Sequence, residues 1–552
     1  MSSDEKPPRP AATVVVVRDA ALGIEVLLLR RAERGDLNSG AWVFPGGLVD
    51  AADRAALPHC RGLDAAVADA RLGVGAHALD YWAAAVRECF EEAGLLFARE
   101  RDGRPLVLDA QRAARLDAWR GPLQRGEQSL AALCHEERLT LAIDELVYFS
   151  HWVTPIGRPK RFDTRFFIAR APAGQESAHD DGELVEQLWL SPTAALTRTE
   201  PLKLMTPTQK TLEAIARFDD VDALLAWARQ PREVPLIQPQ IGTGRQGTRP
   251  VTPDEPAFAE LRRIDPECRG DVSYDINPGV AVRLSARVLR VTAHNGSVMT
   301  GPGTNSYLVG GGPRNEWAVV DPGPAEASHV GAILAAAPGP IRWIFATHTH
   351  LDHSPGCALL KAHTGAAVHG RKADHPEWQD ASFAPDRELC GGERFAIDEG
   401  VTLTAVHTPG HASNHLCYRL EEERTLFTGD HVMQLSTVVI NPPDGDMAAY
   451  LASLRALCAE ELDWLAPGHG FLMAQPRAAF ERIIAHRLQR EAKVLAGLRE
   501  LGQPDESALL AHVYADVPER MHPMALRSLR AHLYKLRSEQ RVHEQAGSWR
   551  LL

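Results

Sequence analysis

THTHLDHSPG, residues 347–356, follows the apolar run IRWIFAT (341–347) and sets His348, His350, Asp352 and His353 close together on what must be a loop. Alternate residues of an extended segment point the same way, so His348 and His350 reach toward one metal while Asp352 and His353 turn toward another. Neutral imidazoles and carboxylates are ligands that zinc prefers. Three later fragments complete the set: HTPGHASNH (407–415) carries His411, LFTGD (426–430) carries Asp430, and LAPGHG (465–470) carries His469. Each sits where an apolar strand runs into a glycine turn, and side chains there converge on a rigid scaffold.

Around this cluster the chain is long. Its 552 residues exceed one ordinary core and predict two to four domains. Hydrophobic residues make up 45% and charged residues 24%, as in an ordinary globular protein. A net charge of −12 argues against broad affinity for nucleic acid or anionic membrane. The eight cysteines form no C-x-x-C pair, so reduced thiols are expected rather than a disulfide framework or a thiolate zinc site. The start MSSDEKPPRPAATVVVV has no basic segment leading into a long apolar one, and no apolar run approaches the ~20 residues of a membrane span. A cytoplasmic location and no membrane partner follow as expectations.

The composition breaks at QPREVPLIQPQIGTGRQGTRPVTPDEP (230–256), rich in Pro, Gly and polar residues, which reads as a linker. Before it, TVVVV (13–17), EVLLLR (25–30), ELVYFSHWV (145–153) and RFFIA (165–169) read as strands among helices near 80–93 and 208–217. After it, short apolar strands alternate with helices. From about residue 476 two amphipathic helices lead into RVHEQAGSWRLL, a hairpin turning near Ala546-Gly547. The expectation is a multidomain α+β chain: a first domain over 10–230, a linker over 231–270, a second domain over 275–475 and a small winged-helix-like domain over 476–552.

A second cluster lies in the first domain. RECFEEAGLL (87–96) puts Glu88, Glu91 and Glu92 on one helical face, where like charges repel by a few tenths of a kcal/mol per pair. Such a face is either solvated or holds a cation. Arg87 can pair with Glu91 at i+4, and Gly94 suits a left-handed helix end.

The set H-x-H-x-D-H, TPGH, GD and PGH resembles the metallo-β-lactamase superfamily over about residues 275–475, supported by GPGTNSYLVG (301–310) and VVDPG (319–323). The resemblance implies an αββα sandwich. One Zn²⁺ would be held by His348, His350 and His411, a second by Asp352, His353 and His469, with Asp430 bridging. It further implies a bridging hydroxide as nucleophile, with Asp352 a plausible partner for its proton. GPGTNSYLVG, TPGHASNH, HRLQRE (486–491) and the tail are similar to the lactamase-like endoribonuclease branch, whose substrate is RNA. Thioester hydrolysis, as in glyoxalase-II-like relatives, stays open. Arg527, Arg530, Lys535, Arg537 and Arg541 in the tail either meet phosphates or are solvated faces of a packing or dimerisation module, the latter admitting a homodimer.

RECFEEAGL fits the Nudix pattern R-E-U-x-E-E-x-G-U, U being bulky and apolar. Its opening glycine sits far upstream in FPGGLVDAAD (44–53), with Gly46 and Gly47, so an insertion over roughly 54–80 splits the box and is placed to lid the site or shape its specificity. RRAERGDLNSGAWVFPGG (30–47) resembles the coenzyme A diphosphatase branch, with Arg31 in place and Asp36 where that pattern has a second arginine. KRFDTRFFIA (160–169) and LWLSPTAAL (188–196) also match the Nudix fold. The resemblance implies Mg²⁺- or Mn²⁺-assisted hydrolysis of a nucleoside diphosphate linked to a group X. Glu88, Glu91 and Glu92 would be ligands, one of them a candidate for the base as well, with Arg87 orienting Glu91 and Arg31, Gly46 and Gly47 at the substrate. The competing expectation is a nucleotide sensor that regulates the zinc hydrolase without turnover.

Overall fold

A computed structural model describes residues 7–33, 39–179, 184–434 and 437–552, and the chain divides into two compact units, residues 1–240 and 241–552. Asp36 lies outside the described residues.

In the first unit the strand Arg9–Ala20 runs parallel to Phe162–Arg170, from Arg9 opposite Phe162 to Val17 opposite Arg170. Successive valines of TVVVV feed two different cores: Val14 and Val16 pack with Trp82, Cys89 and Phe90, whereas Val15 and Val17 pack with Leu212 and Leu224. A sheet covered on both faces needs a continuous apolar run rather than an alternating one. The helix Leu79–Ala93 covers one face; Thr206–Ile215 and Val221–Arg229 cover the other.

The insertion is folded into the domain. Residues Ala51–His59 and Ala65–Leu72 are helical, and Ala56, Ala68 and Leu72 lie in the same core as the Leu79–Ala93 helix. A loop of that length would cost little to close, yet burying Ala56, Ala68 and Leu72 makes the segment part of the domain.

In the second unit, two sheets face each other. One is ordered Ala281–Arg283, Val288–Thr292, Asn305–Gly310, Trp317–Val320, Ile341–Phe345, Ala367–Gly370 and Arg387–Glu388; the other runs from Arg394–Asp398 to Met473–Ala474. Val309, Phe345, Leu403, Tyr418 and Phe427 fill the space between them, while the helices Ala327–Ala336 and Met447–Leu457 cover the outer faces. This is the αββα sandwich. The helix Pro476–Leu501 is shared between two cores: Ala479 and Phe480 pack on the sandwich, Val494 and Leu498 on the C-terminal unit of helices and hairpin. In that hairpin Val542–Gln545 pairs with Ser548–Leu551, and both turn residues, Ala546 and Gly547, have positive φ (49° and 79°).

The segment expected as a linker over 231–270 is built into the domains. Leu236–Ile237 adds a strand beside Val147–Val153 in the first unit. The helix Phe258–Ile264 buries Glu260 against Arg290 through two hydrogen bonds of 2.6 and 2.9 Å, and Glu260 also accepts from Leu472 N–H at 2.8 Å. Its Pro and Gly content hid this role, because short strands and a single helix turn or two leave no readable period. Among the described residues no helix is long and apolar enough to cross a membrane.

Candidate functional site

In the second unit every expected ligand stands just past the end of a strand: His348 to His353 after Ile341–Phe345, His411 after Val401–His407, Asp430 after Thr425–Gly429, and His469 after Trp464–Pro467. Three triads form, His348–His350–His411, His348–His353–Asp430 and Asp352–His353–His469, each with candidate ligand atoms within 4.8 Å of one another. Nε2 of His348 and Nε2 of His411 both lie 3.0 Å from Nδ1 of His350. Asp430 stands between the groups, its Oδ2 3.6 Å from His411 Nε2 and its Oδ1 3.3 Å from His353 Nε2 and 3.2 Å from His469 Nε2.

The surrounding shell aims these rings. Asp321 accepts from Thr347 N–H and Thr347 Oγ1, each at 2.7 Å, and meets His353 Nδ1 at 2.9 Å. His411 Nδ1 meets Val439 O at 2.7 Å, and His469 Nδ1 meets Gly303 O at 3.2 Å. Thr304 Oγ1 donates to Asp352 Oδ2 at 3.1 Å. With each far nitrogen committed to the shell, the near nitrogen faces the centre, the arrangement that metal-binding histidines require.

Two observations say that a cation belongs there. His353 Nε2 and Asp430 Oδ1 are buried and lack a hydrogen bond despite their proximity. Burial holds His350 down to about 3 and His348 well below its ordinary range, so both present lone pairs. Burial also opposes charge on His353 and His469, but neighbouring carboxylates outweigh it and raise both, His469 to about 9. Without a metal, protons supply the positive charge that Asp352 and Asp430 demand.

The triads open into a cavity of about 810 Å³. Leu351 and Trp378 line it while 64% and 68% exposed, joined by Val298 and Met299. Met521, Met524 and Arg527 of the C-terminal unit form part of its wall, a role the sequence reading missed. Arg527 is the one arginine or lysine in that wall among the described residues, and it stacks 6.0 Å from the Trp378 ring. The other tail cations are engaged: Arg530 with Glu506, Lys535 with Glu491, Arg537 with Glu544 and Arg541 with Glu491, at 2.8 to 3.4 Å. The tail thus contributes a wall of the cavity, and its other named cations are held in ion pairs with neighbouring glutamates.

In the first unit the split box closes. Arg87 joins Asp53 through Nε at 2.7 Å and Nη2 at 3.1 Å, donates to Leu48 O, and reaches Glu88 at 2.9 Å and Glu91 at 3.3 Å. Asp53 thus pairs with Arg87 across the insertion. Gly46 N–H donates to Glu92 Oε2 at 2.8 Å, and a Cβ on Gly47 would stand 2.4 Å from Glu88 Oε1. Arg31 ends the strand Gly23–Arg31. Gly94 closes the helix at φ 70°. Glu91 is 6% exposed; its Oε1 has no hydrogen-bond partner, and burial raises its carboxyl to about 7. A buried carboxylate oxygen with nothing to accept, beside two more carboxylates, fits a divalent cation of the hard, oxygen-seeking kind.

Comparison with known proteins bears on both centres. The Metallo-beta-lactamase superfamily model matches residues 299–469, the NUDT19 Nudix domain model residues 75–210, and the Beta-lactamase associated winged helix domain model residues 506–549. An "Atrochrysone carboxyl ACP thioesterase" of Aspergillus chevalieri is 32% identical over 47% of this chain and 84% of its own. A "Beta-lactamase-like protein 2 homolog" of Drosophila melanogaster is 30% identical over 47% of this chain and 90% of its own. A NUDIX hydrolase structure from Alicyclobacillus acidocaldarius is 28% identical over 40% of this chain and 96% of its own, with a TM-score of 0.34.

Proposed function

The chain belongs to the metallo-β-lactamase superfamily and carries a NUDT19-type Nudix domain ahead of that fold, and from this premise we propose one polypeptide with two separate metal-dependent hydrolytic centres. In the second unit His348, His350 and His411 would hold one zinc ion and Asp352, His353 and His469 the other, with Asp430 placed between the two groups. Two such ions lower the pKa of a water toward neutrality and polarise the carbonyl under attack. Asp352, held by Thr304 Oγ1 and partly open to the cavity, takes the proton released as water adds to the substrate.

The substrate is an acyl thioester with a bulky apolar acyl chain. The carrying observation is the cavity wall of Val298, Met299, Leu351, Trp378, Met521 and Met524. A polynucleotide needs several cations along its backbone, and among the described residues Arg527 is the one arginine or lysine in this wall. Water adds to the carbonyl, the carbon–sulfur bond breaks, and the thiol leaves with the transferred proton. The Aspergillus relative's name, a thioesterase, agrees with this chemistry. Thiol release from a long-chain acyl thioester should fall roughly 100-fold or more in Asp352→Ala. RNA cleavage by the parent without thioester turnover would sink the reading.

In the first unit Glu88, Glu91 and Glu92 would hold Mg²⁺ or Mn²⁺, Arg87 positions Glu91 and Glu88, and Arg31, Gly46 and Gly47 would face a nucleoside diphosphate linked to a group X. The orphaned Glu91 Oε1 favours turnover over sensing. Glu91→Gln should abolish Mg²⁺-dependent release of phosphate products while sparing the thioesterase. Nucleotide binding by the parent with no product at all would establish the sensor instead.

A further inference from the structure

Away from the carboxylate centre, the first unit holds a cavity of about 690 Å³, a volume typical of small-molecule sites. Residues 62–73 of the insertion, 143–151 and 228–234 supply its walls. Its lining combines the apolar Leu63, Leu72, Ile143, Leu146 and Val147 with three arginines, Arg71, Arg229 and Arg232.

Arg232 is the decisive residue. Its Nη2 donates to Phe149 O at 2.6 Å, and its guanidinium stacks 4.6 Å from the Trp227 ring. Its Nε is buried without a hydrogen bond. Among the described residues it forms no ion pair, and burial holds it below its ordinary range. A half-buried cation without a counter-ion is costly, and an anion in the cavity removes that cost. His151 presents its ring to the same space, fixed by a 2.6 Å contact to Asp163, which also accepts from Arg165 at 3.0 Å. This gives the KRFDTRFFIA motif a task that pyrophosphate hydrolysis leaves unassigned. Of the carboxylates in the wall, Asp144 is taken by Arg99 at 2.8 and 3.0 Å, and Glu233 is exposed.

The cavity is distinct from the glutamate centre. Trp82 donates to Leu146 O, in the cavity wall, at 3.0 Å. Glu91 lies nine residues further along the same helix, about 13 Å at 1.5 Å per residue.

We propose that this cavity binds an organic phosphate, with the phosphoryl group on Arg232, Arg71 and Arg229 at the mouth, and the apolar body against Leu63, Leu72 and Ile143. Planar guanidinium forks suit phosphoryl oxygens. The phosphate belongs either to the far end of the hydrolysed substrate or to a separate effector.

The test is isothermal titration of the full-length chain with adenosine 5′-monophosphate in EDTA, where neither metal centre is loaded. Saturable binding is expected, weakened about tenfold or more in Arg232→Gln and severalfold in Arg71→Glu, and unchanged in Glu91→Gln. Arg71 is exposed, so its variant folds even if Arg232→Gln does not. With Mg²⁺ restored, a raised KM for the pyrophosphate substrate in Arg71→Glu assigns the cavity to the substrate's far end; an unchanged KM with altered kcat on adding monophosphate assigns it to an effector. No binding by the parent, or affinities within twofold of it in both arginine variants, overturns the proposal.

Discussion

Asp321 never reaches the centre of the histidine–aspartate cluster, yet it takes Thr347 twice and His353 Nδ1 once. It does so from a positive φ of 52°, a conformation that costs a non-glycine residue about 1 kcal/mol. That strain is tolerable because it turns the carboxylate back under the histidine loop. Asp321→Asn keeps the shape but loses the charge that fixes the His353 ring, so zinc affinity should fall about 10- to 100-fold, read by competition with a chromophoric chelator. His329 makes a different kind of prediction. It is fully buried, 2.8 Å from Ser306 Oγ, and burial depresses it to about 4. An unfolded histidine titrates near 6.5, so between those values the unfolded chain binds the extra proton and stability falls as pH falls. The loss amounts to about 3 kcal/mol by pH 4. Urea unfolding of the metal-free chain from pH 7 to pH 4 should show a shallower decline in His329→Gln than in the parent; parallel slopes would refute it.

At the scale of elements, the joint between FPGGLVDAAD and RECFEEAGLL carries the next test. Asp53 is 1% exposed and caps its own helix while holding Arg87. Asp53→Ala strands a largely buried cation, which costs about 3–5 kcal/mol, lessened here because Glu88 and Glu91 still reach Arg87. Chemical denaturation of this variant measures the cost. Gly47→Ala should be milder for stability, about 1–3 kcal/mol of overpacking, but harsher for pyrophosphate turnover, since the added Cβ displaces Glu88. The histidines and aspartates of the candidate metal site were legible in sequence because each stands in a glycine-marked turn after an apolar strand, and so were the Nudix helix and the terminal hairpin, whose turn residues announce themselves. Glu260 and Arg290 were not, because a pair separated by thirty residues and buried from both sides leaves no periodic trace. Met521 and Met524 escaped for a similar reason: a methionine in an amphipathic helix reads as core until the neighbouring domain shows which space it lines.

At the scale of the whole molecule, the two centres ask for different ions from different chemistry. The first offers carboxylates from one helix, the second imidazoles and carboxylates gathered from four strand ends. The folded second unit therefore gathers buried imidazole lone pairs and carboxylates that a bound cation stabilises together. Zinc bound at a thousand times its Kd adds about 4 kcal/mol to that unit, equivalent to roughly 8 °C in Tm for a domain of this size. The carboxylates of the first unit already have Arg87 and Gly46 N–H as partners, so its fold depends less on metal. Calorimetry of the full chain should resolve two transitions. A zinc-selective chelator should lower one by that amount and leave the other in place, while thioester turnover is lost and Mg²⁺-dependent pyrophosphate turnover continues. Movement of both transitions together would show that the two units do not melt independently, and movement of neither would remove the case for a structural debt at the histidine site.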